Sequence, residues 1–186
     1  SAKTEISLAT TNATVNAEVL RISTTGRSNS GSTSGRSALI SFFDSSNSTL
    51  TGAIGGYRYS ADLDFAGGLK FFYNGTSASS SVSTLTLGAT LDQFGNFGLG
   101  VTPSAWASTY RAFQVGLSSS LVGISNDVQT HLTTNARFDG TNWVYIATSP
   151  ASRYMQDNNV HKWFNAASGS SGTTAAFTQA MTLDAS

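Results

Sequence analysis

Charge and cysteine are what this sequence has least of. Its 186 residues include no cysteine, and charged residues make up 11% of the chain, against roughly 25% in an ordinary soluble domain. The absence of cysteine excludes a disulfide scaffold, thiol catalysis and thiolate metal sites. Ten basic and ten acidic side chains give a formal net charge of zero, and no run approaches the ~18 apolar residues of a membrane span. We therefore expect neither nucleic-acid binding nor membrane insertion.

Hydroxyl side chains take the place of the missing charges. The chain has 30 Ser and 24 Thr, while hydrophobic residues at 39% and aromatic residues at 11% are too frequent for a disordered protein. Glu and Lys, which are common on helix surfaces, number two and three. Because Thr, Phe, Tyr, Val and Ile favour strands, the composition predicts an all-β fold.

Short runs of alternating or apolar residues have the length of β-strands. The turn sequence at 139–142, Asp-Gly-Thr-Asn, predicts a hairpin that joins Arg137-Phe138 to Trp143-Val144, because glycine adopts positive φ without steric cost. The predicted strands are 18–22, 38–43, 69–73, 143–147 and 177–183.

An internal repeat pairs residues 70–92 with residues 162–184 at an offset of 92, without a gap. Each copy begins with Lys and two aromatic residues, continues through a Ser-rich loop and ends in Thr-Leu-Asp. We predict that both copies adopt the same strand–loop–strand conformation. The first copy turns and returns as 97–101, whereas the second ends at 184–186, so we expect the chain to be a fragment or a proteolytic product.

Four segments resemble a module that is common in tail fibre and tailspike proteins of tailed bacteriophages: TLDQFGNFGLGVTPS at 90–104, YRAFQVG at 110–116, FDGTNWVYIA at 138–147 and FTQAMTLDAS at 177–186. The resemblance covers roughly residues 37–186. It implies an elongated, trimeric fibre built from short antiparallel strands and hairpins, with a repeated module. It also implies that such a segment stands upstream of an endosialidase-type intramolecular chaperone domain, which guides trimer assembly and then cleaves itself off.

The resemblance suggests a division of the chain and a role for it. We expect an N-terminal β/loop segment at 1–36, a first fibre module at 37–116 and a second, truncated module at 117–186. The implied role is a structural and receptor-binding segment of the virion tail that attaches to a host cell-surface glycan. Two alternatives stay open, namely an adhesive fibre of a bacterial surface and a fragment of a glycan-cleaving tailspike.

The sequence has few sets of residues that could form a catalytic site. His131 and His161 are 30 positions apart and read as structural or surface residues, with a metal site on a threefold axis as the alternative. Asp62 and Asp64 could present two carboxylates on one face of a strand, as glycan cleavage requires, but glycine-rich flanks favour a solvated loop. We predict no catalytic residue, no metal and no cofactor, and hence no enzyme.

Aromatic side chains carry the better functional argument, because sugars present apolar faces that stack on aromatic rings. Trp143 and Tyr145 alternate with Val144 and Ile146, so the two aromatic residues are expected on one face, available to a ligand if the aliphatic residues take the core. Packing in the core or in an interface is the alternative for each. The candidate binding residues are Trp143, Tyr145, Tyr57, Tyr59, Trp106, Tyr154, Arg153, Arg58 and Asn142.

Overall fold

The computed structural model describes residues 37–44, 48–58, 67–75 and 84–184. Within these residues 64% lie in strands and none in an α-helix, so the predicted all-β fold is confirmed. The described ranges accordingly hold no helix of the length and hydrophobicity needed to cross a membrane.

A single sheet of eleven strands dominates the structure, in the order β1 to β8 followed by β11, β12 and β13. Neighbouring strands are antiparallel, except for the parallel pair β5 and β6. The remaining strands, β9 and β10, form a separate two-stranded sheet. The strands are β1 (Ser37–Asp44), β2 (Thr49–Arg58), β3 (Gly67–Tyr73), β4 (Thr86–Leu91), β5 (Phe97–Leu99), β6 (Tyr110–Val115), β7 (Ser119–Ile124), β8 (Gln129–Thr134), β9 (Ala136–Phe138), β10 (Trp143–Tyr145), β11 (Ser149–Asp157), β12 (Val160–Gly169) and β13 (Thr178–Leu183).

The β9–β10 hairpin is the one that the sequence predicts, with Trp143 opposite Phe138. Its turn is held by Asp139, whose Oδ1 accepts hydrogen bonds from the backbone N–H groups of Thr141 and Asn142, both at 2.8 Å. These bonds stabilise the carboxylate and lower the pKa of Asp139. Gly140 takes a φ of 113°, which explains the glycine at this position.

The β11–β12 hairpin uses a different turn signal. Asn158 and Asn159 have φ values of 44° and 70°, and the flanking residues Asp157 and Val160 are paired. Two successive residues at positive φ form the turn that matches the twist of a two-residue hairpin, and asparagine tolerates that conformation better than most residues.

One face of the sheet is covered and contains the core. The β9–β10 hairpin and the segment 101–109 lie over it, and they bring Trp106 and Trp143 into an edge-to-face contact at 6.3 Å. Beneath them Ala112 and Val122 are buried. A second cluster on the same side centres on Tyr145. We call this side of the sheet the covered face.

The two hairpins at the repeated positions have the same strand pairing. In β3–β4, Lys70 is opposite Thr90 and Phe71 is opposite Ala89, with a bulge between Phe71 and Phe72. In β12–β13 the partners 92 positions later are opposite each other, and the bulge falls between Trp163 and Phe164, again 92 positions later. The residues 76–83 that connect the first pair lie outside the described ranges.

The predicted boundary between the two fibre modules falls at the turn between β6 and β7. The boundary between residues 116 and 117 falls in this turn, and the two strands that flank it pair with each other. The N-terminal segment 1–36 and the predicted strand 18–22 lie outside the described residues. The division therefore stays a prediction.

Candidate functional site: the uncovered face of the sheet

The other side of the sheet carries a continuous band of apolar side chains, which we call the uncovered face. Cross-strand partners point to the same side of a sheet, so the strand pairing traces the band from strand to strand. It runs through Leu69, Leu91, Phe97, Phe113, Leu121, Leu132, Tyr154, Trp163 and Met181 in successive strands from β3 to β13. Alternation along each strand sends the neighbouring residues to the covered face, so β6, β7 and β8 bury every second residue.

Several large side chains of this band are open to solvent. Leu121 is 46% exposed and Leu132 is 51% exposed, and Leu69, Leu99 and Phe113 are similarly open. Between β6 and β12 the band forms an open groove of about 570 Å³, whose apolar lining includes Phe113, Leu121, Leu132, Tyr154 and Trp163. Exposed apolar patches of this extent are characteristic of sites that bind another macromolecule.

An aromatic cluster lies at the β11–β12 end of the band. The rings of Tyr154 and Trp163 have centroids 5.0 Å apart, and the imidazole of His161 stacks on the Tyr154 ring at 5.9 Å. The Tyr154 hydroxyl accepts a hydrogen bond from Gln156 Nε2 at 3.1 Å and lies 2.5 Å from His161 Nδ1. The cluster therefore adds polar groups to the rim of the apolar band.

Arg153 lies on the covered face and is caged by aromatic rings. Its guanidinium carbon is 4.3 Å from the ring centroid of Phe164, 4.8 Å from that of Trp143 and 5.3 Å from that of Phe177. Cation–π contacts with desolvated rings are worth ~2 kcal/mol or more. Arg153 therefore serves packing, and the cage accounts for an arginine in a core that lacks an acidic partner among the described residues.

His131 is buried in the same core, with 1% of its surface exposed. Its ring lies between Trp143 at 5.3 Å and Tyr110 at 6.4 Å, and neither ring nitrogen has a hydrogen-bond partner within the described part of the chain. Burial, reinforced by the positive charge of Arg153, lowers the pKa of His131 to about 4. His131 is accordingly neutral at pH 7 and acts as a core residue.

Three buried amide side chains hold the loops onto the sheet, and the sequence patterns did not single them out. Asn96 accepts the backbone N–H of Ala112 and donates to Asp92, which ties the β4–β5 turn to β6. Gln114 accepts the N–H of Ser104 and donates to the carbonyl of Leu117. Asn135, at a φ of 59°, bonds both the N–H and the carbonyl of Ala147. In the sequence Asn96 and Asn135 are marked only as amides at turns, and Gln114, which lies within β6, has no such signal.

We predict that Asn96→Ala lowers the free energy of unfolding by about 2–3 kcal/mol. The change leaves the buried N–H of Ala112 without its acceptor and removes the bond from the Asn96 amide to Asp92 Oδ2. Asn142→Ala is the matched control, because that side chain is exposed, and it should change stability by less than about 0.5 kcal/mol. Urea unfolding of both variants measures the difference, and equal stabilities would contradict a clamping role for Asn96.

The candidate binding residues from the sequence do not form one site. The structure packs three of them in the covered core, where the alternative expectation placed them: Trp106 is buried, Trp143 is surrounded by rings, and Tyr145 is 5% exposed, with its hydroxyl donating to the carbonyl of Ala167. The expectation that Val144 and Ile146 leave the aromatic face free is wrong, because Val144 and Tyr145 are both buried. Arg153 shares this core.

The remaining candidates are dispersed. Tyr154 is on the uncovered face. Tyr57 is half-buried in β2, with Lys70 Nζ 4.5 Å from its ring centroid, and Asn142 is exposed at the β9–β10 turn. Arg58 ends β2, while Tyr59 and the pair Asp62 and Asp64 lie outside the described residues.

Metal binding is the other role that the sequence leaves open for the two histidines. In the described ranges no group of three or more His, Cys, Asp or Glu side chains is placed to hold a metal ion. His131 and His161 lie on opposite faces of the sheet, because their strand partners Val122 and Leu183 do. The two imidazoles therefore do not form a joint site within one chain.

The uncovered face is thus a surface of the described structure that a partner can occupy. Its side chains offer apolar contact, and polar residues such as Ser119, Thr134 and Ser152 line the groove beside them. Comparison of the chain with protein-family models, with curated proteins and with solved structures finds no match in any of the three.

Proposed function

We propose that this chain is a structural and receptor-binding segment of a trimeric bacteriophage tail fibre, and that it attaches the virion to a glycan on the host cell surface. In this proposal the segment belongs to the virion tail and folds in a precursor that carries an intramolecular chaperone domain. The four sequence segments that resemble fibre modules support the family, and the uncovered face supports the assembly.

The uncovered face is the single observation that carries the proposal. A band of half-exposed leucine and aromatic side chains crosses most of the sheet, and exposing it in a monomer costs free energy at roughly 25 cal/mol per Å². Homo-oligomers close this kind of surface with identical surfaces of other copies. Three copies that turn their uncovered faces towards a common axis would bury the band and form an elongated, β-rich rod.

The equal strand pairing of β3–β4 and β12–β13 supports a repeated module. A shift of one residue would send every strand side chain to the other face, yet both pairings and both bulges agree at an offset of 92. Two levels of one fibre built on the same hairpin would produce this agreement.

A trimer with this arrangement turns the covered side of each sheet outwards, towards a receptor. That side carries the exposed Asn142 at the β9–β10 turn and Tyr57 beside Lys70. An aromatic ring beside a hydrogen-bond donor, as Tyr57 is beside Lys70, suits a neutral glycan, and the zero net charge disfavours capture of a polyanion. Three copies raise the avidity of a weak single site by about 10² or more.

Labelled protein tested on an array of bacterial surface polysaccharides, and on the matching cells, examines the receptor-binding role. We expect saturable binding that falls about tenfold or more in Tyr57→Ala and is retained in Tyr57→Phe, because phenylalanine keeps the stacking ring. Absence of binding to every polysaccharide would contradict the glycan receptor. New reducing ends after incubation would contradict a binding protein and indicate a glycan hydrolase instead.

A further inference from the structure

The last strand of the described sheet, β13, has one edge that pairs with no other described strand, and we call it the free edge. Strand β13 pairs with β12 on one side, and it ends the strand order of the described sheet. All six of its residues are exposed, including Met181 at 52% and Leu183 at 59%. An unprotected edge presents a row of backbone donors and acceptors to which another strand can pair.

The corresponding strand of the other hairpin indicates what such an edge accepts. Strand β4 pairs with β3 in the same register in which β13 pairs with β12. On its other side β4 carries β5, with Leu91 opposite Phe97, Thr90 opposite Gly98 and Ala89 opposite Leu99. The segment added to β4 therefore alternates large apolar residues with glycine.

Backbone hydrogen bonds identify the groups that β13 offers. In the first hairpin, Gly88 accepts a bond from the N–H of Gly100 at 2.7 Å, and the N–H of Asp92 donates to the carbonyl of Asn96 at 2.9 Å. Residues 88, 90 and 92 thus direct their backbone groups towards β5, since direction alternates along a strand. The equivalent residues of the second hairpin are 180, 182 and 184.

We propose that the free edge of β13 is a docking site for an extended peptide segment in which bulky apolar residues alternate with glycine, as they do in residues 97–101. The segment binds antiparallel to β13, with its first apolar residue opposite Leu183, its glycine opposite Thr182 and its second apolar residue opposite Met181. Its side chains extend the apolar band of the uncovered face beyond Met181 and Leu183. This site does not depend on the trimer proposed above.

A synthetic peptide with the sequence of residues 93–101, QFGNFGLGV, provides the probe. Fluorescence anisotropy of the labelled peptide against the full chain should give saturable binding. Replacing its glycine at position 98 by proline removes the N–H that faces Thr182, and binding should weaken by about tenfold, the expected effect of one lost backbone hydrogen bond. A benzophenone at position 97 should crosslink to the residues around Leu183.

Two variants of the chain test the edge itself. Thr182→Pro removes the outward N–H of β13, a position where an edge strand tolerates proline, and should weaken peptide binding by about tenfold or more. Thr182→Val keeps the N–H and should bind within about twofold of the parent. The proposal would be overturned if the peptide did not bind the parent chain. It would also be overturned if the proline peptide and the Thr182→Pro chain both kept the parent affinity. If circular dichroism shows that Thr182→Pro does not fold, the proline peptide alone decides.

Discussion

Replacing Leu121 and Leu132 together by Asp is expected to turn the proposed trimer into a monomer with a mass of 19.4 kDa. The two residues are direct cross-strand partners on the uncovered face, and each is about half exposed in one chain. Burying either leucine in an interface contributes roughly 1 kcal/mol, whereas burying an unpaired carboxylate costs several kcal/mol. We expect the association constant to fall by more than about a thousandfold.

The control for this double variant is Val128→Asp in the turn between β7 and β8. Val128 is 72% exposed and lies outside the apolar band, so its variant should keep the mass of the parent. Circular dichroism establishes that the double variant retains its strands, because both positions face away from the covered core. A double variant that keeps the mass of the parent would contradict the assignment of this face to contacts between copies.

Acidification from pH 6.5 to pH 4 is expected to remove about 3 kcal/mol of stability through His131 alone. Its pKa is lowered to about 4 in the folded chain, against about 6.5 in the unfolded chain. Above pH 6.5 the imidazole is neutral in both states and adds no pH dependence. Below pH 6.5 the imidazole binds a proton in the unfolded state but stays neutral in the folded state. The free energy of unfolding therefore falls by about 1.4 kcal/mol per pH unit until the pH reaches the pKa of the folded state.

The variant His131→Phe isolates this contribution. Phenylalanine fits between Tyr110 and Trp143 as a ring, has no nitrogen to protonate and removes two buried atoms without partners. Urea unfolding at one protein concentration and several pH values should give a smaller loss of stability for the variant between pH 6.5 and pH 4. Parallel curves for parent and variant would contradict a neutral, buried His131.

The sequence predicted those elements of this fold whose signals are local. Alternating runs predicted β1, β3 and β13, and Asp139-Gly140 predicted the β9–β10 hairpin, which the strand pairing confirms. The Asp139 carboxylate and the positive φ of Gly140 act within four residues, so no knowledge of the distant chain is needed to predict the turn.

Which face of a strand is buried could not be read from the same pattern. In β10 alternation separates Trp143 and Tyr145 from Val144, but Val144 and Tyr145 are both buried, and the segment 173–175 hydrogen-bonds to the backbone of β10 along its edge. Alternation distinguishes the two faces of a strand and leaves open how many layers cover them. The aromatic residues therefore became core, and the available surface is the opposite side of the sheet.

The buried amides were unpredictable for a related reason. Asn96 and Asn135 look like ordinary turn residues, and Gln114 looks like a polar residue in a half-buried strand. Each acquires its role from backbone groups 10 to 16 positions away along the chain. Such partners are set by tertiary structure, which local sequence patterns do not describe.

Sedimentation equilibrium of the unmodified chain tests most directly whether copies of this protein meet through the uncovered face. We predict a single species of three times 19.4 kDa whose mass does not change on dilution through the micromolar range, because the apolar band is buried between copies. A stable monomer of 19.4 kDa across that range would contradict the trimeric fibre and leave the uncovered face without a partner of its own kind.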